Sequence, residues 1–233
     1  MLAGFIDAGF LKAQGSRALR REIRQTQVNA KPLIAWLKKL AEERDREFLR
    51  AYWYDGEFDP SDSRYATQRK YFDAIHEVPG VQLRLGYLVE RTPGWHHAVR
   101  QALRACGVAL ADFERHFSFK PDLIQKGVDA LITLDLVSLT KSCSWAVLVA
   151  GDKDLVEAVW TAQDEGCRVL LALPSGAGVA RELRRQADEM LMIPEDVLHD
   201  VLAARKPRKG EPASEPEPAA PAEAELAPAI EAR

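Results

Sequence analysis

Short apolar runs alternate along this chain with stretches in which apolar residues recur every three or four positions. The runs predict buried strands and the periodic stretches predict helices. Residues 2–7 (LAGFID) are the first run, closed by Asp7. Residues 9–25 predict a helix despite Gly15, and residues 29–46 a second, with Leu33, Trp36, Leu37 and Leu40 on one face. Aromatic residues 48–55 (FLRAYWYD) and the alternating residues 81–89 predict two strands. A helix is expected between them over 61–77, capped by Ser61 or Asp62. Further on come a helix over 128–141 and a continuous apolar strand over 145–150. A helix over 155–165 follows, stopped by Gly166, and then a strand over 167–174. Residues 178–190 predict a helix, 191–193 a short strand and 194–204 a closing helix.

Strands that alternate with helices from end to end predict an α/β fold of three layers, with a mainly parallel central sheet between helices. Residues 90–125 break the rhythm and read as an irregular insertion. His96 and His97 in it are adjacent and point apart on any regular element. Beyond residue 204 the composition turns to Pro, Ala and Glu with few large apolar residues, which predicts a disordered tail over 205–233. The domain is therefore expected to span 1–204.

Composition narrows the class. Hydrophobic residues make up 47% of the 233, enough for a packed core, and the formal net charge of −3 excludes a chain that coats itself in nucleic acid by bulk charge. The three cysteines form no CxxC pair, which fits a reducing compartment, so a cytoplasmic protein is expected. No apolar run approaches the ~18 residues of a membrane span.

The candidate chemistry lies in carboxylates. Asp7 closes the first strand, Asp129 opens a helix, and Asp152 and Asp154 follow the strand at 145–150. In open α/β sheets, sites lie beyond the carboxyl ends of strands. Like charges gathered there repel unless a cation sits between them. Oxygen ligands without nearby His or Cys suit Mg²⁺ or Mn²⁺ rather than zinc. Each acid also has a plainer role as a helix cap or first-turn residue. Asp135 lies six residues after Asp129, about 240° around the helix, and is a supporting candidate beside Lys126. Arg17, Arg20, Arg21 and Arg24 fall at i, i+3, i+4 and i+7, a spacing that puts them on one helix face. They are either a phosphate-contacting stripe or a solvated face. The PSGAG loop at 174–178 is a phosphate-loop candidate or a plain turn. The dinucleotide and P-loop glycine motifs are absent.

The segments FID, KGVDALITLD, VLVAGDKDLVEAV and GCRVLLA resemble the NYN domain family, in its LabA/DUF88-like branch, within the PIN-like nuclease superfamily. PSGAGVARELRRQADEM resembles the same branch. The resemblance covers roughly residues 1–195. It implies a PIN-like, Rossmann-like α/β/α fold and Mg²⁺- or Mn²⁺-dependent cleavage of RNA. It carries metal-holding and catalytic roles to Asp7, Asp129, Asp152 and Asp154, and a supporting role to Asp135. Ser175 and Asp188 match positions that are structural or line the cleft. The family's glycine and asparagine after the first aspartate are replaced here, where Asp7 is followed by Ala8, Gly9 and Phe10. Phe10 donates no side-chain hydrogen bond. The alternative is therefore a catalytically weak or inactive NYN domain that binds RNA or a protein partner as a regulatory module; a protein partner or a homodimer is also among the expected partners.

Overall fold

The computed structural model describes residues 1–22, 26–91, 94–110, 113 and 122–204. Arg24, the tail from 205 and part of the 90–125 insertion lie outside the described residues. Among the described residues the order is β1 (Leu2–Asp7), α1 (Ala8–Ala18), β2 (Thr26–Val28), α2 (Ala30–Glu43), β3 (Phe48–Glu57), α3 (Tyr65–His76) and β4 (Val81–Arg91). There follow α4 (Gly94–Ala105), β5 (Asp122–Lys126), α5 (Val128–Ser138), β6 (Trp145–Val149), α6 (Val156–Asp164) and β7 (Arg168–Leu173). The last elements are α7 (Arg181–Gln186), β8 (Glu189–Met192), α8 (Glu195–Val201) and β9 (Leu202–Ala204).

Seven strands form one sheet in the order β5-β4-β3-β1-β6-β7-β8. All neighbours are parallel except β4 and β5. The predicted α/β class is therefore correct. Strand alternation divides the core into two apolar layers. Leu2 and Ile6 of β1 and Val147 and Val149 of β6 face one side, where α1, α2, α3 and α8 pack. Ala3, Phe5, Ala146 and Leu148 face the other, against α5, α6 and α7. Full burial of each large aliphatic side chain contributes roughly 1.5–3 kcal/mol. Gly4 lets α2 approach β1, because a Cβ there would lie 2.8 Å from the Leu37 methyl. No helix among the described residues is long and apolar enough to cross a membrane.

Several predicted elements change length, for local reasons. The first helix ends at Ala18, not near 25, and Arg20 takes a left-handed φ of 52°. The chain is instead drawn to β2, which pairs antiparallel with β9, a strand cut from the predicted last helix. The helix predicted over 61–77 begins at Tyr65. Asp62 does not cap it, and instead accepts from the Arg64 backbone N–H at 2.8 Å and pairs with the Arg64 guanidinium. α7 keeps only six residues of the helix predicted over 178–190. Asp188 ends it by accepting from the Val169 backbone N–H at 2.7 Å and from Gln163 Nε2 at 2.9 Å. Within the insertion, β4 runs past the end of β3 and β5 returns alongside it, pairing Lys126 with Tyr87.

Candidate active site

β1 is the strand at which the winding reverses: β3 and β4 lie to one side of it, β6, β7 and β8 to the other. In such sheets the crevice between the two first-wound neighbours opens at the carboxyl edge. Asp7 is the last residue of β1 and borders this crevice. It also caps α1, accepting from the Phe10 backbone N–H at 3.0 Å. Across the crevice, Asp152 follows β6 and caps the 3-10 turn Lys153–Leu155, accepting from the Asp154 backbone N–H at 3.0 Å. The capping roles read from sequence are thus real for both acids and coexist with their position at the crevice. Asp154 lies within that turn, and both Asp152 and Asp154 are exposed.

Asp129 arrives by a different route. β5 returns to the sheet edge, Gly127 turns the chain with a φ of 81°, and α5 leaves with Asp129 in its first turn. Gly86 permits this close passage, since a Cβ there would lie 2.4 Å from the Lys126 carbonyl oxygen.

Electrostatics ties the acids together. Asp7 is pushed up to about 6, first by burial and then by the charges of Asp129 and Asp55, against the backbone hydrogen bond from Phe10. Burial also raises Asp129, and the charges of Asp152 and Asp154 raise it further. These acids thus form a row along the edge in which neighbours repel. Among the described residues no three His, Cys, Asp or Glu side chains are gathered tightly enough to hold a metal ion as they stand. The donor set, all carboxylate oxygen, fits a hard divalent ion in its chemistry. The mutual repulsion is what such an ion would relieve.

Asp55 is the member that sequence reasoning missed. It stands one residue past Tyr54, the partner of Asp7 on β3, and burial raises its carboxyl. Its Oδ1 accepts from the Gly56 backbone N–H at 2.8 Å and from Gln125 Nε2 at 2.9 Å. Tyr71 donates to it as well, and itself accepts from the buried Trp53 Nε1 at 3.0 Å. The only sequence signal was an acid at the end of an aromatic strand.

The remaining candidates divide. Asp135 stands apart from the row: it accepts from Tyr54 Oη and from Arg84 Nε, each at 3.0 Å. The ion pair joins α5 to β4 and the Tyr54 hydrogen bond joins it to β3, and neither partner is Lys126, which is exposed at the end of β5. Ser175 is exposed in the loop after β7. That loop is no open phosphate cradle. The Ala177, Gly178 and Ala180 N–H groups are bound to Pro174 O, Gln14 Oε1 and Gly151 O. The arginine stripe is not formed as predicted: only Arg17 lies on α1. Arg21 donates to the Leu202 carbonyl and lies 2.7 Å from His199 Nδ1, tying the chain to its C-terminal arm. Phe10, in place of the asparagine, packs into both core layers, and a Cβ on Gly151 would lie 2.3 Å from its ring.

The fold and its edge define a class: a doubly wound α/β domain with carboxylates gathered at the point where the winding reverses. The family model for the NYN domain matches residues 5–194, and the chain belongs to that family, within the PIN-like nuclease superfamily. A crystal structure of a protein of unknown function from Vibrio parahaemolyticus RIMD 2210633 shares the fold. It is 17% identical, with a TM-score of 0.52 over 86% of this chain and 94% of that one. No curated protein matches.

Proposed function

We propose that the chain is a metal-dependent ribonuclease of the LabA/DUF88-like branch, acting in the cytoplasm. The observation that carries this reading is the row of mutually repelling acids at the reversal point of the sheet. Asp7, Asp129 and Asp152 would hold Mg²⁺ or Mn²⁺, with Asp154 beside them. When bound, such an ion polarises a phosphoryl oxygen and lowers the pKa of water. The chain's own residues do the rest. Capping bonds fix the carboxylates of Asp7 and Asp152 to either side of the crevice. Asp154, on the exposed turn, orients the attacking water. Asp55 and its donors brace the far end of the row behind Asp7. Three free cysteines are consistent with a reducing cytoplasm.

The test is purified protein with labelled single-stranded and structured RNA, in Mn²⁺, Mg²⁺ or EDTA, beside Asp152→Asn. Cleavage that requires the ion and falls at least about 100-fold in the variant is the expected outcome, as for loss of one charged group at a reacting centre. Wild-type cleavage by Asp152→Asn would remove the assignment.

A second reading has an observation of its own. Phe10 packs against Gly151 at the crevice, and the acids are not drawn into a cage. Both features suit a domain that binds RNA or a protein partner without cutting. RNA binding with no turnover under either ion selects that reading.

A further inference from the structure

We propose that the arginines of α7, led by Arg181 and Arg185, form the track that carries the backbone of a single RNA strand to the acid row. This rests on the proposed RNA substrate and names the surface that would hold it.

Position comes first. α7 packs against the 3-10 turn Lys153–Leu155, the turn that presents Asp152 and Asp154. The Ala180 backbone N–H, at the start of the helix, donates to the Gly151 carbonyl at 3.0 Å. The basic helix and the acidic turn are therefore joined through backbone, one residue before Asp152.

Rigidity comes second. Leu183 is fully buried beneath the helix. Gln163 donates to the Gln186 carbonyl at 2.8 Å and Asp188 locks the far end onto β7. A phosphate contact made by a side chain on a clamped helix loses less freedom on binding than one made from a loop.

Charge comes third. Arg181, Arg184 and Arg185 are all exposed. Arg184 uses one guanidinium nitrogen on the Ala177 carbonyl at 3.0 Å. The side chains of Arg181 and Arg185 make no ion pair or hydrogen bond with any described residue. Several other arginines are engaged: Arg84 with Asp135, Arg64 with Asp62 and Glu90, Arg69 with Glu57 and Asp73. Arg21, from the stripe predicted on the first helix, is bound to the C-terminal arm. Two cations left unpaired on a rigid helix beside a carboxylate row are suited to the phosphates of a strand whose scissile group sits in that row. Phosphate contacts of this kind set register and orientation rather than sequence.

The experiment measures binding of a labelled single-stranded oligoribonucleotide in EDTA across a salt series. It compares wild type, Arg181→Ala/Arg185→Ala, the corresponding double Lys variant, and Arg17→Ala/Arg20→Ala as a control. Cleavage in Mn²⁺ is followed in parallel. Removing two phosphate contacts should reduce the salt slope of log K by about 1.4 and weaken binding on the order of ten-fold. KM should rise with kcat little changed, and the double Lys variant should restore the slope. An unchanged slope in the α7 double Ala variant overturns the track, as does loss confined to the Arg17/Arg20 control, or no RNA binding by the wild type. Tight α7-dependent binding without cleavage supports the track and removes the nuclease reading instead. Cleavage without α7-dependent binding does the reverse.

Discussion

The two edges of the central sheet treat charge in opposite ways. At the amino edge, Trp145 opens β6 with the guanidinium groups of Arg44, Arg46 and Arg168 over its ring, 5.8, 5.4 and 5.1 Å from the centroid. Glu189, at the start of β8, answers two of them: Arg44 in a two-nitrogen pair and Arg168 at 3.6 Å. Hydrogen bonding from Arg44 holds the Glu189 carboxyl below its ordinary range and raises Arg44 in turn. At the carboxyl edge, burial pushes Asp7, Asp55 and Asp129 up, and like charge adds to the rise at Asp7 and Asp129. One edge favours its ions in the folded state and the other disfavours them. Strain of the second kind persists where function needs it. The contrast sets a stabilising edge against the one proposed to hold the site, without reference to any relative.

Asp7→Asn should give the largest break in that contrast. Asp7 rises from 3.8 to about 6 on folding. At 1.36 kcal/mol per pKa unit this opposes folding by about 3 kcal/mol once the group is charged in both states. Near pH 3 both states are protonated and the penalty is absent. Between about 4 and 6 the unfolded chain ionises first, the folded chain binds more protons, and stability falls as pH rises. Asparagine keeps the oxygen that caps α1 and carries no charge. In EDTA, urea unfolding of Asp7→Asn should therefore show a gain of up to about 3 kcal/mol at pH 8, shrinking towards zero near pH 3. The same variant should lose cleavage. A variant less stable than wild type at pH 8, or a gain independent of pH, would deny that this edge holds strained charge.

The carboxyl edge was legible in sequence where strand ends alone define it. β1 and β6 are continuous apolar runs, so Asp7 and Asp152 could be placed at the edge from order alone. Asp55 closes the predicted strand 48–55 and carried the same signal, but β3 in fact continues past it to Glu57, and its neighbourhood with Asp7 exists only once β1 pairs with β3. The arginine stripe failed for a tertiary reason. Gly15 lowers helix propensity, but it is also where the C-terminal arm docks: a Cβ there would lie 2.3 Å from a Leu202 methyl. Helical periodicity beyond Ala18 carried no trace of the arm that redirects the chain. Asp135 was read as a supporting acid beside Lys126, whereas its ion-pair partner is Arg84, 51 residues away, which sequence order could not name.

The crevice supplies a sharper test of how the carboxyl edge is packed. Gly151→Ala places a Cβ 2.3 Å from the Phe10 ring and 3.2 Å from the Gly178 carbonyl. The ring must shift, and overpacking of this kind destabilises by about 1–3 kcal/mol. Phe10→Ala in the same chain should relieve most of the effect. A double-mutant cycle in urea should then return a coupling of about 1 kcal/mol or more between the two positions. Additive losses would mean that the ring does not bear on Gly151, and the non-cutting reading would lose the contact that motivates it.

The amino edge should respond least, and with the opposite dependence on pH. Glu189→Gln keeps one acceptor oxygen where the carboxylate offers two to Arg44. With side-chain exposures of 26% and 30% the pair is partly screened, and its loss should destabilise by about 1 kcal/mol at pH 7 and low salt. The Glu189 carboxyl is depressed on folding, so its contribution is present above the ordinary value of 4.5 and disappears as pH falls through the lower folded value. Wild type and Glu189→Gln should therefore converge in acid, the limit in which Asp7→Asn and wild type also converge, but from opposite sides. A loss that persists at pH 3 would reflect packing on Trp145 rather than charge. Weakening of the pH 7 effect by salt would assign it to the ion pair.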